Sequence, residues 1–340
     1  MSPKDKYDLI VRNLQEVVGE DALKDIIKKR PLKVYLGAAP TGKPHIGHFV
    51  TAMKLSDFLK AGCEITFLFA DMHAYLDNMK TDWDLLEKRT KYYELVFKEM
   101  IKTAGAPLDK LRFVKGSDFQ LKDKYTLDMY RLSALVTTRD TQRAGAEVVK
   151  QVATPKMSGL LYPMLQALDE EYLEVDAQFG GVDQRKIFMF AREFLPKIGY
   201  EKRIHLMGPL VPGLGESGKM SSSEPNSKIE FNETDKELRR KINKAFCEDG
   251  NPDNGLMALA KYLIFRFLES KGRVFKVKRP GQYGGDVSFK AYEELEEAFK
   301  SKKLSSIDLK GATAEHLIEI IDPIRDVLAK NAKLEAQAYK

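Results

Sequence analysis

The spacing of apolar residues in the first two-thirds of the chain predicts alternating strands and helices. Short apolar runs predict buried strands at residues 32–37, 64–70, 111–114 and 175–179. Longer amphipathic stretches between them predict helices at residues 49–60, 85–104 and 184–195. This alternation favours an α/β fold, a Rossmann-like doubly wound parallel sheet with helices on both faces.

The pattern changes after about residue 225, where strand-like runs become rare. Helical spacing dominates there, at residues 236–246, 256–268, 292–300 and 314–328. The stretch 208–227, rich in Gly, Pro and Ser, predicts a loop at the boundary. We therefore expect two domains, an α/β domain over residues 1–225 with a helical insertion at about 117–157, and an all-α domain over residues 226–340.

Composition narrows the function classes only slightly. The 340 residues contain no apolar run near the roughly 20 residues that a membrane helix needs, and the first residues lack the apolar core of a signal peptide. The two cysteines, Cys63 and Cys247, give no disulfide framework and no metal-ligand spacing, which favours a reducing, cytoplasmic setting and no protein-bound metal. A formal net charge of +6 permits a nucleic-acid partner without requiring one.

The turn after the first predicted strand contains two of the five histidines, His45 and His48, on either side of Gly47. Pro44 suits the start of a helix, and ligands of doubly wound sheets bind where strands end. A helix N-terminus at that place offers N–H groups to an anion. A helix cap with incidental histidines is the alternative for this motif in isolation.

A second motif, residues 218–223, lies in the loop between the predicted domains. Lys219 is flanked by glycine and followed by Met220 and three serines, among them Ser221 and Ser222. An ammonium, hydroxyls and backbone N–H groups can together bind a triphosphate. A flexible polar linker is the alternative if the motif is taken alone.

The two motifs together, in this order and at this separation, resemble the paired ATP-site motifs of the class I aminoacyl-tRNA synthetases. That resemblance implies ATP, with Mg²⁺ bound through its phosphates, as a substrate. Many members have a second lysine where this chain has Ser222, so Lys219 is the only cation of its motif.

Amino-acid activation requires no general base, because a carboxylate is already ionised at neutral pH. Positioning and electrostatic stabilisation should carry the reaction. His45, His48, Lys219 and Thr41 are the candidate catalytic residues. The expected ATP-binding residues, taken from both motifs and from turns at strand ends, are Gly37, Gly47, His48, Gly180, Gly181, Asp183, Lys219, Met220, Ser221 and Ser222.

Between the motifs, Tyr162, Gln166 and Asp169 share one face of a predicted helix. Polar side chains among Leu, Met and Ala are typical of a binding-site wall, and a buried polar network that braces the sheet is the alternative. The Gly-Gly-Val-Asp-Gln turn at residues 180–184 follows a predicted strand, where glycines allow a ligand to approach the backbone.

These segments, with residues 32–37 and 69–76, resemble the tyrosyl branch of the family in eukaryotes and archaea over essentially the whole chain. The resemblance implies that Tyr35 and Asp169 bind the phenol hydroxyl of tyrosine. It implies that Tyr162, Gln166 and Gln184 bind the ammonium group. Ala70 and His73 would line the ring.

The same resemblance implies a tRNA(Tyr) partner and a homodimer. Asp286, in a loop of cations, glycines and an aromatic residue, matches the position that reads the first anticodon base, and residues 226–340 would form the anticodon-binding domain. Arg139, Arg143 and Lys150 are candidate phosphate ligands in the insertion. The basic run 239–244 is interpreted as a solvated helix face.

Three alternatives stay open at this point. A tryptophanyl-tRNA synthetase would share both motifs, although Tyr35 and Asp169 argue against it. A nucleotidyltransferase with the same histidine motif would lack the helical second domain. A non-catalytic RNA-binding paralogue would not need His45, His48 and Lys219 together.

Overall fold

The computed structural model describes residues 1–77, 79–149, 156–216, 220 and 225–339. Its strands within these ranges are β1 Glu16–Val18, β2 Lys33–Ala38, β3 Glu64–Phe69, β4 Leu111–Lys115, β5 Ala177–Gly181, β6 Ile204–Gly208, β7 Phe275–Val277 and β8 Val287–Phe289. The helices up to the middle of the chain are α1 Pro3–Val11, α2 Glu20–Lys29, α3 Ile46–Lys60, α4 Asp71–Leu76, α5 Trp83–Thr103, α6 Ser117–Gln120, α7 Asp123–Ser133 and α8 Thr138–Gly145. The later helices are α9 Met157–Tyr172, α10 Arg185–Phe194, α11 Asp235–Lys244, α12 Gly255–Leu259, α13 Phe265–Ser270, α14 Tyr292–Lys300, α15 Ser306–Lys330 and α16 Ala332–Ala338.

The chain forms two compact units, and each unit is built from three separate segments of the sequence. Unit 1 comprises residues 1–41, 57–94 and 107–210, and unit 2 comprises residues 42–56, 95–106 and 211–340. The predicted division into domains after residue 225 stays a prediction.

The sheet of unit 1 has the strand order β1-β6-β5-β2-β3-β4. All neighbours run parallel except β1, which pairs antiparallel with β6. The predicted Rossmann-like α/β fold is therefore confirmed, with the four predicted strands in the sheet. The sequence pattern missed β1, which has only three residues, and β6, although β6 is buried along its whole length.

The parallel strands place three turns at one edge of this sheet. Ala38 at the end of β2 pairs with Phe69 at the end of β3, and β5 ends nearby at Gly181. The chain leaves all three strands in the same direction, so the segments that follow them meet at the carboxyl edge, where doubly wound sheets bind ligands.

Helix α9 lies in a hydrophobic core of unit 1 that also contains residues of α7, α8 and α10. Its sequence from Met157 to Tyr172 contains no β-branched residue and places Leu165 and Leu168 in the interior. The helix packs against α7, α8 and α10. Polar side chains on α9 are therefore held in a packed environment rather than in solvent.

Unit 2 is mainly helical, with α15 packed against α11 and against β7. The expectation of an all-α region after residue 226 needs one correction, because β7 and β8 form a two-stranded antiparallel sheet. Each of these strands has three residues, too few for an alternating pattern to identify. Within the described ranges, no helix is both long enough and apolar enough to cross a membrane.

Candidate functional sites

Asp169 of α9 lies fully buried in unit 1 with only one of its oxygens satisfied. Its Oδ1 accepts hydrogen bonds from Gln120 Nε2 at 2.7 Å and from the Tyr125 hydroxyl at 2.9 Å. Its Oδ2 has no hydrogen-bond partner among the described residues. Buried polar atoms are normally paired, so the open oxygen is a candidate acceptor for an external donor.

Tyr35 and His73 complete what we call the Asp169 cluster, which consists of Tyr35, His73, Gln120, Tyr125 and Asp169. The Tyr35 hydroxyl donates to the backbone oxygen of Gln166 at 3.1 Å. His73 Nε2 lies 3.8 Å from Asp169 Oδ2, and neither ring nitrogen of His73 has a hydrogen-bond partner in the described part of the chain. Burial lowers the pKa of His73 to about 3, so this imidazole is neutral and does not ion-pair with Asp169.

The charge of Asp169 is poised near neutral pH. Burial raises its pKa to about 7, against the lowering effect of the hydrogen bonds from Gln120 and Tyr125. The pKa of Tyr35 is raised, first by burial and then by the nearby Asp169 carboxylate. A phenol hydroxyl at Oδ2 would therefore donate to a carboxyl group that is shielded from water. The hydrogen bond would not have to compete with hydrogen bonds from water.

A second polar group on α9 lies beside the cluster. Gln166 Nε2 donates to Gln184 Oε1 at 2.8 Å, and the ring of Tyr162 packs edge-on against His73 with centroids 4.6 Å apart. A Cβ atom at residue 180 would lie 2.8 Å from the Gln184 amide, so glycine is required for this side chain to cover the turn. The carboxamides and the Tyr162 hydroxyl provide the donors and acceptors that an ammonium group and its neighbours need.

The structure brings most of the predicted amino-acid residues together. Tyr162, Gln166 and Asp169 are buried along α9, Tyr35 is hydrogen-bonded to the backbone of that helix, and Ala70 belongs to the same small core as Tyr35. Sequence reasoning missed the partners of Asp169. Gln120 on α6 and Tyr125 on α7 lie 49 and 44 residues before it, and no local pattern marks them.

Other predicted residues of unit 1 lie in the turns at the carboxyl edge. The backbone oxygen of Thr41 accepts from Arg89 Nη1 at 2.8 Å, and Thr41 is also hydrogen-bonded to Tyr93. A Cβ at Gly181 would lie 2.6 Å from Asp183 Oδ1, and a Cβ at Gly37 would lie 3.9 Å from that of Ala70. Close packing against Asp183 explains Gly181 without a ligand, whereas a Cβ at Gly37 would fit with ordinary contacts. The ATP contacts of both glycines stay a prediction.

In unit 2, residues 42–48 form what we call the histidine turn. His45 Nδ1 accepts from the Gly47 N–H at 3.2 Å, and His48 Nδ1 accepts from the His45 N–H at 3.1 Å. An Nδ1 that accepts leaves the proton on Nε2, so both rings present an Nε2–H donor. Burial lowers the pKa of His45 to about 2 and that of His48 to about 4. Both rings are therefore neutral at physiological pH, and each can donate only from Nε2.

The first amides of α3 are engaged within the protein. The Ile46 N–H donates to the Ile229 oxygen at 2.9 Å, and the His48 N–H donates to the His45 oxygen at 2.8 Å. These N–H groups already have partners within the protein, and the expected anion site at this helix N-terminus stays a prediction. Gly47 is packed closely, since a Cβ there would lie 3.0 Å from the His45 ring and 3.2 Å from the Met220 sulfur.

Several predicted residues fall outside the described ranges, namely Lys150, Lys219, Ser221 and Ser222. Of the lysine motif, the structure describes Met220, whose side chain is buried and whose N–H donates to the Val211 oxygen at 3.1 Å.

The predicted RNA-binding residues that the structure describes are exposed. Arg139 and Arg143 lie on the surface of α8, where Arg143 is 3.6 Å from Asp140. Asp286 accepts from the Arg279 N–H at 3.0 Å in the loop that joins β7 to β8. The neighbouring Tyr283 is 66% exposed, as a base-stacking residue must be.

Comparison with known proteins identifies the family. The model of the tRNA synthetases class I (W and Y) matches residues 27–322. The chain belongs to this family. The match spans both units and includes the Asp169 cluster and the histidine turn.

Relatives within the tRNA synthetase family are similar along the whole chain. The chain is 57% identical to cytoplasmic tyrosine–tRNA ligase of Danio rerio, covering 100% of this chain and 64% of that protein. It is 50% identical to the cytoplasmic tyrosine–tRNA ligase of Saccharomyces cerevisiae, with 100% and 88% covered. A crystal structure of tyrosyl-tRNA synthetase complexed with L-tyrosine from Archaeoglobus fulgidus superposes with a TM-score of 0.86 at 37% identity, covering 96% of this chain and 100% of that one. The chain spans less than two-thirds of the length of its vertebrate relatives.

Proposed function

We propose that the chain is a tyrosine–tRNA ligase. In this reaction a carboxylate oxygen of L-tyrosine attacks the α-phosphorus of ATP and pyrophosphate leaves, which forms tyrosyl-adenylate. A ribose hydroxyl of the 3′-terminal adenosine of tRNA(Tyr) then attacks the activated carbonyl, and AMP leaves. The names of the relatives, including cytoplasmic enzymes, support this assignment and the expected cytoplasmic location.

The half-satisfied carboxyl group of Asp169 is the observation that carries the proposal for tyrosine. A phenol hydroxyl at Oδ2 would supply the missing partner, and Tyr35 lies close enough for the Asp169 charge to shift its pKa. Phenylalanine would leave the buried oxygen unpaired, a penalty far larger than that for a missing methylene, and tyrosyl-tRNA synthetases are the standard example of such discrimination.

The other residues around Asp169 support roles in holding the amino acid. Gln166 donates a hydrogen bond to Gln184 Oε1. An ammonium group could replace Gln166 as the donor to that oxygen. Tyr162 presents a hydroxyl whose pKa burial raises, so it stays a neutral acceptor and donor. The ring of His73 and the methyl group of Ala70 would contact the aromatic ring of the substrate.

We assign the histidines to the phosphates. Two neutral Nε2–H groups can donate to oxygens on which charge develops as pyrophosphate leaves. Because the rings are neutral at physiological pH, their contribution should not depend on pH above about 5. Lys219, Ser221 and Ser222 are proposed as further phosphate ligands, with Thr41, Gly37, Gly180, Gly181, Asp183 and Met220 as the remaining predicted contributors. Mg²⁺ bound to the triphosphate would offset part of its charge.

We also propose that the protein acts as a homodimer through α7 and its neighbours. Tyr125 and Asp128 on α7 face the interior, whereas Leu127 and Tyr130 on the same helix are 57% and 68% exposed. Leu121 and Leu135, which flank α7 in the sequence, are also exposed. An exposed apolar patch of this kind is typical of a protein interface.

The proposed RNA contacts rest on exposed groups in both units. Asp286 and Tyr283 would read the anticodon, since a carboxylate can accept from a base edge and an aromatic ring can stack on a splayed base. Arg139, Arg143 and Lys150 would bind phosphates of the tRNA.

Amino-acid-dependent ATP–pyrophosphate exchange with tyrosine, tryptophan and phenylalanine tests the proposal. We expect exchange with tyrosine and at least 1,000-fold less with the other two, on the order expected when a buried polar group loses its partner. Exchange with tryptophan but not tyrosine would favour the tryptophanyl alternative. Exchange with none of the three would favour a binding module.

A further inference from the structure

The histidine turn is in contact with Glu335 on α16 and with Tyr339, which follows that helix. Glu335 Oε1 accepts from Lys43 Nζ at 2.7 Å and from Asn232 Nδ2 at 2.6 Å. The Tyr339 hydroxyl donates to the backbone oxygen of Gly42 at 3.3 Å, and Lys43 Nζ lies 5.9 Å from the centre of the Tyr339 ring. Residues 332–339 therefore contact both the backbone of the turn, at Gly42, and its charged side chain, Lys43.

These contacts matter because Lys43 is the only formally charged side chain in the sequence of residues 42–48. His45 and His48 are neutral, since burial holds their pKa values far below 6.5. The formal positive charge of the turn therefore resides on Lys43, and Glu335 neutralises it. The two side chains are only 27% and 16% exposed, so water screens their interaction less than it would at an open surface.

We propose that Glu335 competes with the triphosphate of ATP for Lys43, so that α16 weakens nucleotide binding by the histidine turn. This inference rests on the proposed function, because it assigns the triphosphate to the turn. Glu335 does not touch substrate in this arrangement and acts through Lys43. A partner that displaces α16 from the turn would release the lysine and increase the affinity for ATP.

The competing interpretation is that α16 only supports the shape of the turn. The two interpretations predict opposite changes in the KM for ATP. If the helix is merely a support, any weakening of its contacts raises the KM for ATP. If Glu335 competes for Lys43, removing its charge lowers that KM.

The test is the Glu335→Gln variant of the full chain, assayed by tyrosine-dependent ATP–pyrophosphate exchange. The amide oxygen of glutamine can still accept from Lys43 and Asn232, so the substitution removes the charge and keeps the contacts. We expect the KM for ATP to fall about two- to fivefold at low salt, equivalent to ~0.4–1 kcal/mol, with an unchanged KM for tyrosine. The effect should shrink in 0.5 M salt, because both side chains are still partly exposed and salt screens the competing triphosphate charge as well. An unchanged or higher KM for ATP would overturn the proposal.

Three further variants separate charge from structure. Glu315→Gln removes the same charge from the Arg239 ion pair, fifteen residues or ~22 Å before the end of α15, and should leave the KM for ATP unchanged. Tyr339→Phe removes a contact of the segment without changing the charge, and should not lower the KM. In the Lys43→Met background, Glu335→Gln should have no further effect, and a persisting decrease would contradict competition for Lys43.

Calorimetric titration with inorganic tripolyphosphate measures phosphate binding directly, so this test does not depend on catalysis. Tighter binding by Glu335→Gln than by the unsubstituted protein supports the competition even if no amino acid drives exchange. Equal or weaker binding contradicts it. If the unsubstituted protein exchanges with tyrosine but the variant binds tripolyphosphate no more tightly, only the role of Glu335 fails.

Discussion

Replacing Asp169 by asparagine should stabilise the free protein in alkaline solution while impairing tyrosine binding. The pKa of Asp169 is raised from 3.8 to about 7 by burial. The folded state therefore binds more protons than the unfolded state between those values, and stability is lost as the pH rises through that window. Asparagine has the same shape, can still accept from Gln120 and Tyr125, and does not ionise.

The expected magnitude follows from the two pKa values. The cost of ionising Asp169 in the folded state approaches ~4 kcal/mol well above pH 7, because each pKa unit corresponds to ~1.36 kcal/mol. Between pH 5 and pH 8 that cost should grow by about 2.5 kcal/mol in the unsubstituted protein. It should not grow in Asp169→Asn. The difference in the free energy of unfolding, Asp169→Asn minus the unsubstituted protein, should therefore increase by about 2.5 kcal/mol from pH 5 to pH 8.

Urea unfolding followed by the fluorescence of Trp83 measures this difference. Trp83 is the single tryptophan of the chain and lies in unit 1, so its emission reports on the unit that contains Asp169. A difference between the two proteins that is the same at pH 5 and pH 8 would refute the reasoning. So would destabilisation by asparagine that increases with pH.

Asp128→Asn is a matched control with the opposite sign. Burial tends to raise the pKa of Asp128, but hydrogen bonds from Tyr200 and Tyr172 and the charge of Arg131 outweigh it and lower that pKa. The contribution of Asp128 to stability is therefore present above its unfolded pKa and is lost as the pH falls. The Asp128→Asn protein should be less stable than the unsubstituted protein at pH 8, with a smaller difference at pH 4.

The same Asp169→Asn substitution should weaken tyrosine binding by 10- to 150-fold, or about 1.5–3 kcal/mol, because it replaces a hydrogen bond to a charged acceptor. Titration calorimetry with L-tyrosine at pH 8 measures the loss. Unchanged affinity would show that the phenol does not bind at Oδ2.

Three further outcomes are expected. His45→Ala should lower the kcat of pyrophosphate exchange by about 100-fold, as loss of one preorganised donor does, without changing the dissociation constant of tyrosine; the kcat of the unsubstituted protein should show no histidine titration between pH 6 and 8. Leu127→Glu should convert the proposed dimer to a monomer in analytical ultracentrifugation, whereas a mass that is the same for both proteins would argue against the α7 interface. Asp286→Ala should raise the KM for tRNA(Tyr) by about 10-fold and leave pyrophosphate exchange unaffected, so a defect in exchange would remove Asp286 from the RNA-binding set.

The sequence was most informative where local pattern determines structure. A short apolar run predicts the strand β2. Helical spacing predicts α9 and places Tyr162, Gln166 and Asp169 on one face of it. The two motifs led to the family resemblance, and the family match confirms that resemblance.

Contacts that depend on tertiary packing could not be read from the sequence. Gln120 and Tyr125 reach Asp169 only because α6 and α7 fold back onto α9. The neutral state of His45 and His48 also depends on burial and on which nitrogen accepts an N–H, neither of which the motif reveals. The contact between Glu335 and Lys43 joins residues 292 positions apart.

A crystal structure of the protein with L-tyrosine tests the central claim most directly. We expect the phenolic oxygen to lie about 2.5–2.9 Å from Asp169 Oδ2, the length of a short hydrogen bond to a carboxylate. The ammonium group should lie among Tyr162, Gln166 and Gln184. A phenolic oxygen more than 3.5 Å from Oδ2, or tyrosine bound away from the Asp169 cluster, would contradict the assignment.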